Sequence, residues 1–159
     1  MKKTIIFLIT ILLFIEKSFA LNKYGVGIIL GNPIGLSFES NIVNNKKIAS
    51  SLEFATNFNT AEKYFYFHTD YLMKYYEYIQ KKDLTGMLPI FYGFGIKYET
   101  YAKNVTQNIF GIRIVFGVEY IFNEIPFSIF SMLAPVIDIS PEVSLYLSPS
   151  FGVRYFFNI

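Results

Sequence analysis

Residues 110–122 read Phe-Gly-Ile-Arg-Ile-Val-Phe-Gly-Val-Glu-Tyr-Ile-Phe. Every even position is apolar or aromatic: Phe110, Ile112, Ile114, Phe116, Val118, Tyr120 and Phe122. The odd positions carry Gly111, Arg113, Val115, Gly117, Glu119 and Ile121, so an arginine and a glutamate share the opposite face with small residues. Side chains of an extended chain point alternately to its two faces, and a period of two sustained this long specifies a strand. Its length also suffices to cross a bilayer at a tilt, which takes about 9–11 residues.

The same pattern extends outward in both directions. Ile90, Tyr92, Phe94, Ile96 and Tyr98 alternate with Phe91, Gly93, Gly95, Lys97 and Glu99. Phe65, Phe67, Thr69, Tyr71 and Met73 alternate with Tyr66, His68, Asp70, Leu72 and Lys74. Leu52, Phe54, Thr56 and Phe58 alternate with Glu53, Ala55 and Asn57, and Leu36, Phe38, Ser40 and Ile42 with Ser37, Glu39 and Asn41. From Val143 to Phe157 the apolar set alternates with Ser144, Tyr146, Ser148, Ser150, Gly152 and Arg154. Tyr24–Gly31 and Pro126–Ile137 bring the expected strands to eight. Gly31-Asn32-Pro33, Asn44–Lys47 and Asn123–Pro126 are short turn signals, and longer polar connections are expected near 59–63, 77–86, 99–108 and 138–142.

Composition limits the chemistry. The 159 residues contain no cysteine and one histidine, which excludes disulfides, thiolate nucleophiles, lipidation at an N-terminal cysteine and any multi-histidine metal centre. No metal and no cofactor is expected. Residues 1–20 read as a secretory signal: Lys2 and Lys3, an apolar stretch from Thr4 to Ile15, then Ser18-Phe19-Ala20 with small residues where a signal peptidase reads. The expected mature domain is therefore 21–159. The signal holds Lys2, Lys3, Lys17 and Glu16, so its removal takes the formal charge from +2 to zero and leaves no basis for nucleic-acid binding.

Alternation alone leaves open which face is wet. The polar face is sparsely charged and rich in Gly, Ser and Ala, which suits a crowded lumen. Tyr24, Tyr64, Tyr75, Tyr76, Tyr98, Tyr101, Tyr120 and Tyr155 gather near expected strand ends, as interfacial girdles do. The expectation is an all-β, eight-stranded antiparallel up-and-down transmembrane β-barrel.

Residues 150–157, Ser-Phe-Gly-Val-Arg-Tyr-Phe-Phe, resemble the last-strand signal of bacterial outer-membrane barrels, with Ser150, Gly152, Tyr155 and Phe157 at its positions. Here the chain continues with Asn158-Ile159 where the common pattern ends on phenylalanine. The layout resembles the small OmpA/OmpX-type outer-membrane barrels. The segments Gly25–Leu36, Phe67–Tyr71, Leu88–Gly95, Phe110–Phe122 and Ala134–Asp138 also resemble an uncharacterised spirochaetal family with that fold. The resemblance implies outer-membrane localisation after export, outer-membrane lipid and the barrel-assembly machinery as partners, and contacts with host or other external proteins through surface loops.

An eight-stranded barrel has an interior just wide enough to be filled by side chains. The inward set is Glu39, Glu53, His68, Asp70, Lys74, Lys97, Glu99, Arg113, Glu119 and Arg154. Unpaired charge is costly in a dry interior, so a paired lumen network is expected. Counting from a turn near residue 60 sets Glu53 opposite His68; Lys97 comes close to Arg113, with Glu99 as counter-charge; Arg154 reaches Glu39 or Glu119. His68 is the one candidate general base, yet spacing places no serine beside it, so it reads as structural. The expected function is that of a non-enzymatic, monomeric outer-membrane barrel that is structural or presents loops. The alternatives are a lipid A acyl-modifying enzyme and a soluble, lipocalin-like secreted carrier.

Overall fold

The computed structural model describes residues 24–44, 48–59, 64–76, 86–102 and 106–158. The expected export signal at 1–20, the turn at 45–47 and Lys81-Lys82 lie outside the described residues. Among the described residues nine strands follow in order: β1 Tyr24–Gly31, β2 Gly35–Asn44, β3 Ile48–Asn59, β4 Tyr64–Tyr75, β5 Gly86–Met87, β6 Ile90–Ala102, β7 Thr106–Phe122, β8 Phe127–Ser140 and β9 Ser144–Phe157. The two-residue β5 pairs with β7 at Phe122 and Ile121. The Pro89 carbonyl accepts from the Glu119 amide at 2.9 Å, so β5 and β6 run along β7 as one line. Proline has no N–H to give to the ladder, and it marks the interruption.

Each long strand pairs antiparallel with its neighbours in sequence, and β1 also pairs with β9, with Tyr24 opposite Phe157 and Gly31 opposite Ser150. β7–β8 pairing completes the ring. The result is a closed, antiparallel, eight-stranded barrel, as expected from the sequence. Closure matters because an open sheet of such strands would leave a row of unpaired backbone groups at each edge.

The two faces separate as alternation predicts, and neighbouring residues show how sharply. Arg113 is 0% exposed while Ile114 is 48% exposed. Ile112, Ile114, Phe116 and Val118 of β7, and Phe94 and Ile96 of β6, are exposed on the outer wall. Ile29, Leu72, Phe91, Val115, Phe130, Met132 and Val136 form an apolar cluster inside. Aromatic pairs brace the wall near one end: Tyr24 lies 6.0 Å from Phe157, Phe127 lies 5.3 Å from Tyr155, and Tyr75 stacks on Tyr92 at 5.7 Å.

Three expectations need correction. The connection expected over 99–108 is mostly strand, since Glu99, Thr100 and Tyr101 pair with Ile109, Asn108 and Gln107. Polar residues stay in the ladder there because pairing uses backbone groups, which do not depend on side-chain polarity. For the same reason β8 runs through Asp138 to Ser140, which shortens the connection expected at 138–142. Tyr76 is buried beside Ile121, so it does not belong to the outer tyrosine girdle.

The rim is uneven at the end carrying the β1–β2 turn. β1–β9 pairing stops at Gly31–Ser150 and β2–β3 pairing at Leu36–Thr56, whereas β9 runs on to Ser144 and β3 to Asn59. Among the described residues, this leaves a break in the wall above the β1–β2 hairpin.

Candidate functional site: a charged lumen

The inward positions bring the ionisable residues into three connected groups. The first is built around Arg154 of β9 and Lys74 of β4. Lys74 Nζ lies 2.5 Å from Glu39 Oε1 and 2.5 Å from Glu119 Oε2. Arg154 Nη1 lies 2.9 Å from Glu39 Oε2 and 3.7 Å from Glu119 Oε1, and its Nη2 donates to Glu53 Oε1. Arg154 Nε donates to Ser37 Oγ at 3.0 Å, and Ser128 Oγ donates to Glu119 Oε1 at 2.6 Å. The guanidinium carbon sits 3.7 Å from the centre of the Phe130 ring, a cation–π contact that covers one face.

The second group holds His68. Arg113 Nε donates to Asp70 Oδ1 at 3.1 Å, and Arg113 Nη1 donates to the Tyr66 hydroxyl at 2.9 Å. That hydroxyl is 3.1 Å from His68 Nδ1, and His68 Nε2 is 3.5 Å from Asp70 Oδ2. Gly95 makes the arrangement possible. A Cβ there would collide with the Asp70 carboxylate and the Thr69 carbonyl, so only glycine lets the aspartate lie across β6.

The third group is nearest the uneven rim. Lys97 Nζ donates to Glu99 Oε2 at 2.8 Å, to Asp138 Oδ2 at 3.3 Å and to the Tyr146 hydroxyl at 2.5 Å. Ser144 Oγ also donates to Asp138 Oδ2, at 3.3 Å. Across the three groups, Lys74, Lys97, Arg113 and Arg154 face Glu39, Glu53, Asp70, Glu99, Glu119 and Asp138. All ten side chains are buried, and the carboxyl groups outnumber the cations.

The structure redistributes the expected partners. Glu53 pairs across the ladder with Asp70, and His68 with Ala55, so Glu53 is not opposite His68. The reason is the turn: Asn59 pairs with Tyr64, and this longer connection shifts every partner by two residues. A shift by two preserves which face each residue occupies, and the inward set survives it. Lys97 pairs with Gly111 and Arg113 with Gly95, and their side chains join different groups. Glu99 is indeed the near counter-charge of Lys97, and Arg154 reaches both Glu39 and Glu119. Lys74, expected inward with no assigned partner, pairs with Glu39 and Glu119. Tyr66, Tyr146, Ser37 and Ser128 carry contacts that sequence reading did not assign, although alternation already placed the first three inward. Asp138 falls in the connection expected at 138–142, so its place in the lumen is visible only in the structure.

His68 has Tyr66 and Asp70 as its described polar partners, and Thr69 and Tyr71 occupy the opposite face of β4. At the chain's last strand, Ser150 and Gly152 face inward and are buried, while Tyr155 and Phe157 lie on the outer face with rings 6.3 Å apart. A urea-unfolding double-mutant cycle on His68→Ala and Asp70→Asn is expected to give a coupling of about 0.5–3 kcal/mol. The His68→Ala/Glu53→Gln cycle should give a smaller one. The reverse ranking would mean that the β3–β4 register is wrong.

Comparison with known proteins found no matching family, no matching curated protein and no matching solved structure.

Proposed function

We propose that the chain is an integral outer-membrane barrel of the small OmpA/OmpX type, exported by its N-terminal segment, monomeric and without enzymatic activity. In this reading a paired network fills its lumen, and its loops meet external partners. The observation that carries the proposal is the inversion of polarity between inside and outside. Arg113, Arg154, Lys74 and four carboxylates are almost wholly buried, while Ile112, Ile114, Phe116, Phe94, Ile96, Leu145 and Leu147 are exposed. Isolated exposed apolar residues are ordinary in soluble proteins, but so many large apolar side chains exposed on neighbouring strands of one wall are not. Hydrocarbon is the solvent for which that belt is suited, and a closed barrel is one of two structures that satisfy every backbone group within it. A soluble carrier would need the reverse distribution, with an apolar cavity and a wetted exterior.

Fractionation tests this directly. The protein is expected in outer membranes, resistant to carbonate, with heat-modifiable gel mobility after detergent extraction. A monodisperse monomer recovered from the soluble fraction without detergent would overturn the proposal.

The lumen groups imply a second result. With Arg113 and Arg154 fully buried among their partners, no continuous water path is expected, and the reconstituted monomer should show no steady conductance. Large, stable single-channel steps would mean that the ion pairs open readily.

A further inference from the structure

The outer wall bears an apolar groove that meets the break in the rim. It crosses β1 to β4, has a volume of about 500 Å³, and runs over the backbone at Gly27, Ser37 and Ala55. Leu36, Thr56 and Phe65 line one side, Phe38, Phe54 and Phe67 the other, and Val26 lies on β1. The second side is a continuous aromatic rail: Phe38 and Phe54 have ring centres 6.2 Å apart, and Phe54 and Phe67 6.1 Å. Thr56 Oγ1 donates to the Tyr66 carbonyl at 2.9 Å, so its one polar atom is already satisfied and the groove presents hydrocarbon and ring faces.

Leu36 and Thr56 form the last β2–β3 pair, so they belong both to the groove and to the base of the break. Above them the wall stops at the β1–β2 turn, where the Asn32 carbonyl accepts from Ser148 Oγ, but continues on either side, at Asn57–Asn59 of β3 and Ser144–Leu147 of β9. Tyr146, on the β9 side, is hydrogen-bonded to Lys97, which in turn holds Glu99 and Asp138. Among the described residues, the polar group behind the break therefore carries two carboxylates against one ammonium. Such a balance favours a ligand group that donates hydrogen bonds or carries positive charge.

We propose that this groove and break form a binding site for a long-chain amphiphile with an ammonium-bearing head. Its hydrocarbon chain lies between the two rails, and its head passes over Leu36–Thr56 toward the Tyr146–Lys97–Asp138 group. The site rests on the membrane reading above. A chain held there differs from bulk lipid in lying against an aromatic rail on one side and ending at a gap in the wall.

The protein contains no tryptophan, so a single introduced one is a unique reporter. Phe54→Trp reports from the rail, and Ile114→Trp from the outer wall on β7, outside the groove. In bilayers made wholly of chain-brominated phosphatidylcholine, both fluorophores should be strongly quenched. Failure of both would overturn the membrane reading itself. In bilayers of ordinary phosphatidylcholine with a small fraction of chain-brominated lysophosphatidylethanolamine, Phe54→Trp should reach half-quenching at about tenfold lower probe fraction than Ile114→Trp, equivalent to ~1.4 kcal/mol of preference. Unbrominated lysophosphatidylethanolamine should reverse that excess, and brominated lysophosphatidylglycerol should not reproduce it. Equal quenching at both positions, with the first arm successful, would overturn the site alone. An excess given equally by both lysolipids would overturn the head-group assignment.

Discussion

Ile114→Arg is expected to abolish stable insertion, leaving a species whose gel mobility no longer changes on heating. Ile114 lies on the exposed belt between Ile112 and Phe116, and its ladder partner Phe94 is exposed as well. An arginine at the lipid midplane costs roughly 2–4 kcal/mol, depending on depth. The substitution one residue away isolates the effect. Arg113→Met places no charge in lipid, and its loss falls on Asp70 and Tyr66, which keep His68 as a neighbour. It should insert and fold with reduced stability. Insertion of Ile114→Arg at the wild-type level would show that the outer wall does not meet hydrocarbon.

Arg154→Met should produce the largest loss of stability among lumen substitutions. Its guanidinium touches Glu39, Glu53 and Glu119; once it is gone, Lys74 still holds Glu39 and Glu119, while Glu53 loses its ion-pair partner. Removing one partner from a buried ionic group costs about 3–5 kcal/mol, because the charges left behind can recover neither water nor a counter-ion. The urea midpoint in detergent micelles measures this. Adding Glu53→Gln should recover part of the loss, since it removes the carboxylate that Arg154 Nη2 alone satisfies by charge. If the double variant is less stable than Arg154→Met alone, the cost lies in packing against Phe130 and not in stranded charge.

The long strands and the facing of most of their residues were legible in alternation, while the barrel reading also needed the sparse polar face, the tyrosines at strand ends and the last-strand pattern. Side-chain direction follows the pleat and survives any even shift of register. That is why Glu39, Glu53, His68, Asp70, Arg113, Glu119 and Arg154 were placed inward correctly although the β3–β4 turn was counted two residues too short. Strand ends were less legible. Glu99–Tyr101 and Asp138–Ser140 look like loop by composition, but the neighbouring strands offer their backbone groups partners, and Lys97 pairs with the buried Glu99 and Asp138 carboxylates.

The sequence alone thus determined that the charged residues gather on one side of a strand wall and an apolar belt on the other, because period two fixes which side chains of a strand share a face. Only the tertiary structure decided which charges meet. Partners such as Arg154 and Glu53, or Lys97 and Asp138, lie on different strands, and the lumen brings them together from across the ring. Their pairing depends on turn lengths, on two bulges, near Asn41/Val43 and Phe110/Gly111, and on closure of β1 against β9. Each of these shifts one strand along another by whole residues, a distance over which an ion pair forms or fails while the facing of every side chain set by the pleat is kept or restored.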